Sequence, residues 1–361
     1  MPKLSQTKYP TISFITPTLN ASAYLEKCLV SITKLKYPKS KIEIIIADGG
    51  STDDTISIAK KYKAKIYHNK FKTSESGKAV CLRQANGEFV VLVDSDNIIT
   101  DRNWLIKMIK PLILDEELVG SEPIRYTYRK YDGYIDRYCA LMGMNDPLCF
   151  WLGAYDRVNT ITGKWTGLNV STIKRKGYLE LRLRCGNIPT IGANGTVFRK
   201  KVLEQEANLY GDYFFDMDIL ESLVEKTKLL KFAKVDVGIV HLYCGSDIRK
   251  FVRKQLRRIK DGLSRRPVKD ILIKTNLGQR KYNYGQKNSF AFGLRVAHFV
   301  IDCVLVVPLM IQAARGFMKQ PDLVWFAHPV LCWITLLTYS RGTIESFFQN
   351  LNKELSREGW S

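Results

Sequence analysis

Phe89, Val90, Val91, Leu92 and Val93 run without a break into Asp94, Ser95 and Asp96. Five consecutive apolar residues with no polar alternation read as a strand covered on both faces, the usual state of a central parallel strand. The polar triplet then falls at the carboxyl end of that strand, the edge where α/β sheets bind ligands. Two carboxylates at positions i and i+2 can reach one hard cation, because such cations take oxygen ligands. An acidic pair alone is a weak signal; its place after a buried strand is what gives it weight.

Upstream, β-branched runs alternate with amphipathic helical stretches: Thr11 to Thr16, Ala21 to Lys34, Ile42 to Ala47, Asp53 to Tyr62, Ala64 to Tyr67 and Lys78 to Ala85. That order predicts an α/β fold with a parallel sheet and covering helices. The first strand ends in Pro17, Thr18, Leu19 and Asn20, and the second in Asp48, Gly49, Gly50, Ser51, Thr52 and Asp53. The glycines permit a tight turn, Ser51 or Asp53 can cap the next helix, and Asp48 can accept hydrogen bonds from a nucleobase or ribose. Three strand ends are expected at one edge. Residues 120–190 are rich in Tyr, Trp, Arg and Gly with weak periodicity, and are expected to form an insertion around a cleft. Arg125, Tyr126, Tyr128, Arg129, Tyr131, Trp151, Asp156, Arg157 and Trp165 there form a candidate acceptor surface. Regular pattern returns at Pro189 to Phe198, Asp216 to Lys226 and Leu229 to Val240, with Gly192, Ala193, Asn194 and Gly195 in the first of these and His241 just past the last.

Pro17 to Asn20, Asp48 to Thr55, Lys78 with Ala85, Gly87 and Glu88, and Asp94 to Asp96 resemble, in order, the motifs of family 2 glycosyltransferases. The resemblance covers about residues 10–245. It implies a GT-A fold, the Rossmann-like nucleotide-diphospho-sugar transferase domain, with inversion at the anomeric carbon. It also implies a UDP- or GDP-linked sugar donor held with Mn²⁺ or Mg²⁺. By this likeness Pro17, Thr18, Asn20 and Asp48 hold the donor, Asp48 at the base. Asp94, with Ser95, faces the ribose or donor sugar, Asp96 the metal, and Lys78 the donor phosphates or sugar. Gly192 and Asn194 stand near donor and acceptor, and His241 is a second metal or diphosphate ligand. The family's base follows a pattern like EDxDL; here Phe215, Asp216, Met217, Asp218 and Ile219 match it without the glutamate, leaving Asp216 as base and Asp218 in reserve. The processive motif QxxRW is matched by Gln255, Leu256, Arg257, Arg258 and Ile259, whose missing tryptophan argues against building long polymers.

The 361 residues carry 56 basic against 35 acidic side chains, a formal charge of +21. Such a balance points to phosphates of nucleic acid, lipid headgroups or substrate. No nucleic-acid motif is present, so nucleic acid is not an expected partner. Eight cysteines without a CxxC pair read as reduced thiols, with neither disulfides nor zinc. Met1 to Pro10 is polar and reads as neither signal nor anchor. Past Asp247, Ile248, Val252, Ile259 and Leu263 recur at helical spacing among basic residues, predicting a cationic amphipathic helix on anionic membrane lipids. Val296 to Ala314 and Leu323 to Ser340 are apolar enough for a helical hairpin linked by Arg315 to Asp322, with buried helices or a re-entrant hairpin as alternatives given Asp302 and Pro308. Arg280, Lys281, Lys287 and Arg295 outnumber the basic residues of the link, which keeps the catalytic part cytoplasmic at the cell membrane. The expected division is therefore a catalytic domain at 1–245, an interface region at 246–285 and a membrane-associated hairpin and tail at 286–361. The expected acceptor is a lipid-linked or cell-envelope glycan, the alternatives being a polyprenyl phosphate or, in another class, a basic nucleic-acid-binding or inactive scaffold protein.

Overall fold

The computed structural model describes residues 9–186, 188–210, 214, 216–263 and 290–358. Ile12–Thr18 (β1), Ser22–Thr33 (α1), Ile42–Asp48 (β2), Thr55–Lys61 (α2), Lys65–His68 (β3), Ser74–Gln84 (α3) and Phe89–Val93 (β4) follow the expected alternation to within a few residues. β1, β2, β3 and β4 pair in parallel. On β4, Phe89, Val91 and Val93 face one layer of core and Val90 and Leu92 the other, so the unbroken apolar run reflects helices on both sides. One face is closed by Leu25, Cys28, Leu29 and Ile32 of α1 with Trp104, Met108 and Leu112 of Trp104–Leu114 (α4). The other is closed by α3 and by Asp216–Thr227 (α8).

Residues 120–190 contribute to the sheet rather than forming an insertion beside it. Leu118–Tyr126 (β6), Ser171–Arg175 (β7) and Tyr178–Leu183 (β8) join Asn194–Arg199 (β9) and Leu230–His241 (β10) in the strand order β3-β2-β1-β4-β9-β6-β10-β8-β7. The two-residue Asn97–Ile98 (β5) lies off this path and pairs antiparallel with the end of β10. Tyr134–Met142 (α5) begins where Gly133 crosses Gly245; a Cβ on Gly133 would stand 2.1 Å from that backbone, so no side chain fits.

The carboxyl-terminal part differs most from expectation. Ile248–Leu263 (α9) is the basic helix, but its inner face, led by the buried Phe251 and Gln255, packs on the protein. The first apolar segment is two helices, Phe290–Leu305 (α10) and Val307–Lys319 (α11), meeting at 90° where Val306 adopts φ 61. Pro308 explains the restart, since a proline lacks an N–H and fits the first turn of a new helix. The helix runs through most of the expected link to Lys319. A 3₁₀ turn, Leu323–Ala327, then leads into His328–Glu358 (α12). Asp302 turns inward, accepting from Trp151 Nε1 at 2.9 Å. Arg280, Lys281 and Lys287, which carried the orientation, lie outside the described residues.

Candidate active site

The ends of β1 and β2 are knitted together by their own polar side chains. Asp48 accepts from Thr18 Oγ1 at 2.8 Å, from the Gly50 and Ser51 amides at 2.9 and 2.7 Å, and from Ser51 Oγ at 2.5 Å. Burial alone would raise its pKa; these hydrogen bonds outweigh burial and hold it low. Asn20, at φ 50, donates its amide to Ser51 Oγ and accepts from the Thr52 amide. Pro17 lies against α3, where a Cβ on Gly77 would meet it at 2.6 Å.

On the other side of β1 from β2, the chain leaving β4 folds back on β10. Asn97 pairs with His241 in register, and the Leu242 amide donates to Asp96 O at 2.9 Å. This brings His241 Nε2 to 3.5 Å from Asp96 Oδ1, while Nδ1 of the ring faces Asn145 Nδ2 at 3.2 Å. Lys254 of α9 approaches the same carboxylate, its Nζ 3.8 Å from Asp96 Oδ2, and donates to Tyr243 O at 2.7 Å. Burial pushes Asp96 up, and the imidazole and ammonium beside it more than reverse that. Asp94 stays raised because burial exceeds the pull of Lys78, with Asp96 adding to the rise. Half-buried Ser95 separates the two acids. Asn97 steadies the turn, accepting from the Asp94 amide at 3.2 Å and donating to Asn194 Oδ1 at 3.0 Å.

Lys78 enters from α3 and bridges both carboxylate oxygens of Asp216, each at 3.1 Å, with both side chains almost fully buried. Burial pushes Asp216 up to about 6, with Lys78 opposing and Asp94 reinforcing. Asp218, one residue removed on α8, is also buried. The geometry therefore brings Lys78, Asp94, Asp96, Asp216 and His241 to one sheet edge, with Asp48 and the β1 rim alongside.

Asn194 opens β9 and donates to Tyr126 OH at 3.2 Å. A Cβ on Gly192 would meet nothing within 4 Å, so this backbone borders open space. Beneath it lies a buried group that sequence reading had left as unassigned surface or missed. Arg157 Nη1 meets Glu122 at 2.7 Å and Asp156 at 2.6 Å; Lys234 bonds the other Glu122 oxygen; and the Gly192 amide donates to Glu122 at 3.2 Å. Two cations against two anions, all inside, form a fixed support for the Gly192 to Asn194 segment. A cleft of about 840 Å³ between α1 and residues 129–133 lies beyond β5, and none of Asp48, Asp94, Asp96 or Asp216 lines it.

Asp96 and His241 suit a divalent ion. Two ligands of an octahedral cation at about 2.1 Å stand roughly 3 Å apart, close to the 3.5 Å seen between them. Among the described residues no cluster of three or more His, Cys, Asp or Glu could hold a metal. An ion here would complete its shell from water and phosphate oxygens, as Mg²⁺ commonly does.

The model for "Glycosyl transferase family 2" matches residues 13–206, over half of the sequence and including every strand end described above except β10. The chain belongs to this family. Its sheet of parallel and antiparallel strands with helices on both faces is a mixed α/β fold. Among curated relatives, poly(ribitol-phosphate) beta-N-acetylglucosaminyltransferase TarS of Staphylococcus aureus is 39% identical over 93 residues, 24% of this chain and 16% of that protein. A dolichyl N-acetyl-alpha-D-glucosaminyl phosphate 3-beta-D-2,3-diacetamido-2,3-dideoxy-beta-D-glucuronosyltransferase of Methanococcus voltae is 39% identical over 90 residues, 22% of this chain and 27% of that one. The chain thus matches well under half the length of either. The solved structure of mannosyltransferase PcManGT from Pyrobaculum calidifontis, in complex with GDP-Man and Mn²⁺, aligns with 92% of this chain and 88% of its own at 17% identity, with a TM-score of 0.48.

The buried Lys78 to Asp216 pair yields a direct test. Lys78→Met strands a carboxylate in the interior and should cost about 3–5 kcal/mol in urea unfolding. Lys78→Met combined with Asp216→Leu should cost less than either change alone; additive losses would mean the two are not paired.

Proposed function

We propose that this glycosyltransferase moves a sugar, with inversion, from a UDP- or GDP-linked donor to a lipid-linked or cell-envelope glycan at the cytoplasmic face of the membrane. The observation that carries the donor half is the pairing of Asp96, just past β4, with His241 at the end of β10, with Lys254 beside them. The acceptor half draws on the relatives, whose names specify poly(ribitol-phosphate) and a dolichyl phosphate sugar.

In this reading Asp96 and His241 would hold Mn²⁺ or Mg²⁺, which would supply Lewis-acid neutralisation of charge on the diphosphate. Asp48 and the Pro17, Thr18 and Asn20 rim receive the nucleoside, which takes the place of one of the four hydrogen bonds that Asp48 accepts. Asp94 and Ser95 face the ribose or sugar. Lys78 holds Asp216 in place and sets the local charge. Gly192 and Asn194 border the sugar. The acceptor oxygen bonds to the anomeric carbon as the bond from that carbon to phosphate oxygen breaks, its electron pair leaving with the diphosphate. The acceptor's proton passes to an Asp216 oxygen. A carboxylate near pH 6 is ionised at neutral pH yet basic enough for that transfer. Asp218 is the reserve.

Nucleotide release from UDP- and GDP-sugars, measured with Mn²⁺ and with chelator, tests the metal. Chelation or Asp96→Ala should lower release at least about 100-fold, the scale of losing a principal charge-stabilising group; undiminished turnover would remove Asp96 from this role. The pH profile tests the base. Protonation of Asp216 should make kcat fall about tenfold per unit below roughly pH 6. A limb near the ordinary carboxylate value of about 4 would reject Asp216.

A further inference from the structure

Large hydrophobic residues exposed among the described residues are concentrated between Phe290 and Phe348; only Leu19, Ile113, Leu114, Tyr131 and Ile248 lie elsewhere. They form stripes. On α11, Val307, Met310, Ile311 and Met318 face outward at helical spacing, while Leu309, Ala313 and Gly316 face the protein. On α12, Val330, Trp333, Leu337 and Ile344 do the same, opposite buried Leu331, Cys332, Thr335 and Gly342. The 90° corner between α10 and α11 protrudes apolar side chains, with Val304 63% and Val307 64% exposed. A surface of this kind on a chain otherwise polar outside marks an interaction site.

The helices do not fit a crossing. At about 1.5 Å per residue, the 16 residues of α10 and 13 of α11 reach roughly 24 and 20 Å, short of a hydrocarbon core of about 30 Å. The link after α11, which a spanning hairpin would put across the bilayer, is bound to the catalytic part. Lys319 Nζ donates to Ile161 O at 2.6 Å, and Asp322 accepts from Tyr128 OH at 2.7 Å and pairs with Arg137 at 3.2 Å. Residues Leu323–Phe348 are long and apolar enough to cross. Yet Tyr339 donates to Asp146 and Gln255, and Ile259 lies 2.4 Å from where a Cβ on Gly342 would stand. Crossing would carry α9 and its arginines into hydrocarbon, where each uncompensated charge is costly.

We propose that α10, α11 and the outer stripe of α12 dock in one leaflet of a bilayer, the corner at Val304 to Val307 dipping deepest, and that no segment among them crosses. Basic Arg295, Arg315 and Lys319 accompany the apolar stripes, which suits anionic headgroups and disfavours a second copy of the same positive face. The proposal deepens the membrane part of the proposed function and is independent of sugar transfer.

Two readouts test it on the full chain. Flotation with phosphatidylcholine vesicles containing phosphatidylglycerol should capture the protein, and Val304→Glu with Val307→Glu should lower capture at least tenfold while thermal melting and nucleotide release stay unchanged. Equal flotation of that variant, no flotation of the parent, or a dimer dispersed by the same change without vesicle binding would each overturn it. In sealed membrane vesicles, a cysteine from Gln320→Cys and the exposed native Cys185 should be labelled together by a membrane-impermeant maleimide. Labelling on opposite sides would establish a crossing and overturn the proposal even if flotation succeeded.

Discussion

Buried negative charge at one sheet edge is the constraint around which this protein is arranged. Asp216 is buried and Asp94 and Asp96 are half-buried, and a carboxylate withdrawn from water stays ionised only at a cost unless it is paired. Each meets a basic side chain from a separate part of the chain: Lys78 of α3 faces Asp216 and Asp94, while His241 of β10 and Lys254 of α9 face Asp96. Folding must bring these elements together before the site can hold its charge. In the proposed reading the same acidic edge receives the divalent ion, so the requirement that shapes the fold also shapes the chemistry.

Through α9 the arrangement ties the centre to the outer apolar helices. Lys254 meets Asp96, while its neighbour Gln255 accepts from Tyr339 of α12. One helix therefore touches both the acidic edge and the part of the chain with exposed apolar stripes. On the proposed function and the proposed bilayer docking, the donor site stands beside the lipid-facing surface, which suits an acceptor anchored in lipid.

The amino half was legible because its signals are local. An unbroken apolar run followed by two acids fixes β4 and the position of Asp94 and Asp96, and the β1 to β3 repeats need only neighbouring residues to be read. β6 was hidden because Glu122, Pro123 and Arg125 spoil its pattern. Glu122 is tolerated through Arg157 and Lys234, the latter 112 positions away. Lys254 was missed for a similar reason, since in a basic helix nothing local separates the lysine that turns inward from those facing out; the spacing of Phe251 and Gln255 was the available clue. The 90° corner at Val306 hides in a segment whose composition alone suggests a span, and Pro308 was its local sign. The Lys78 to Asp216 pairing, 138 positions apart, has no trace in pattern.

The claim that matters most is that Asp96 and His241 share one ion. Anomalous diffraction at the manganese edge, from crystals grown with UDP and Mn²⁺, addresses it without reference to turnover. The account predicts a single strong peak at coordination distance, about 2.2 Å, from an Asp96 oxygen and His241 Nε2. A peak held by other residues, or density for UDP at this edge with Lys254 and Lys78 alone against its phosphates, would contradict it.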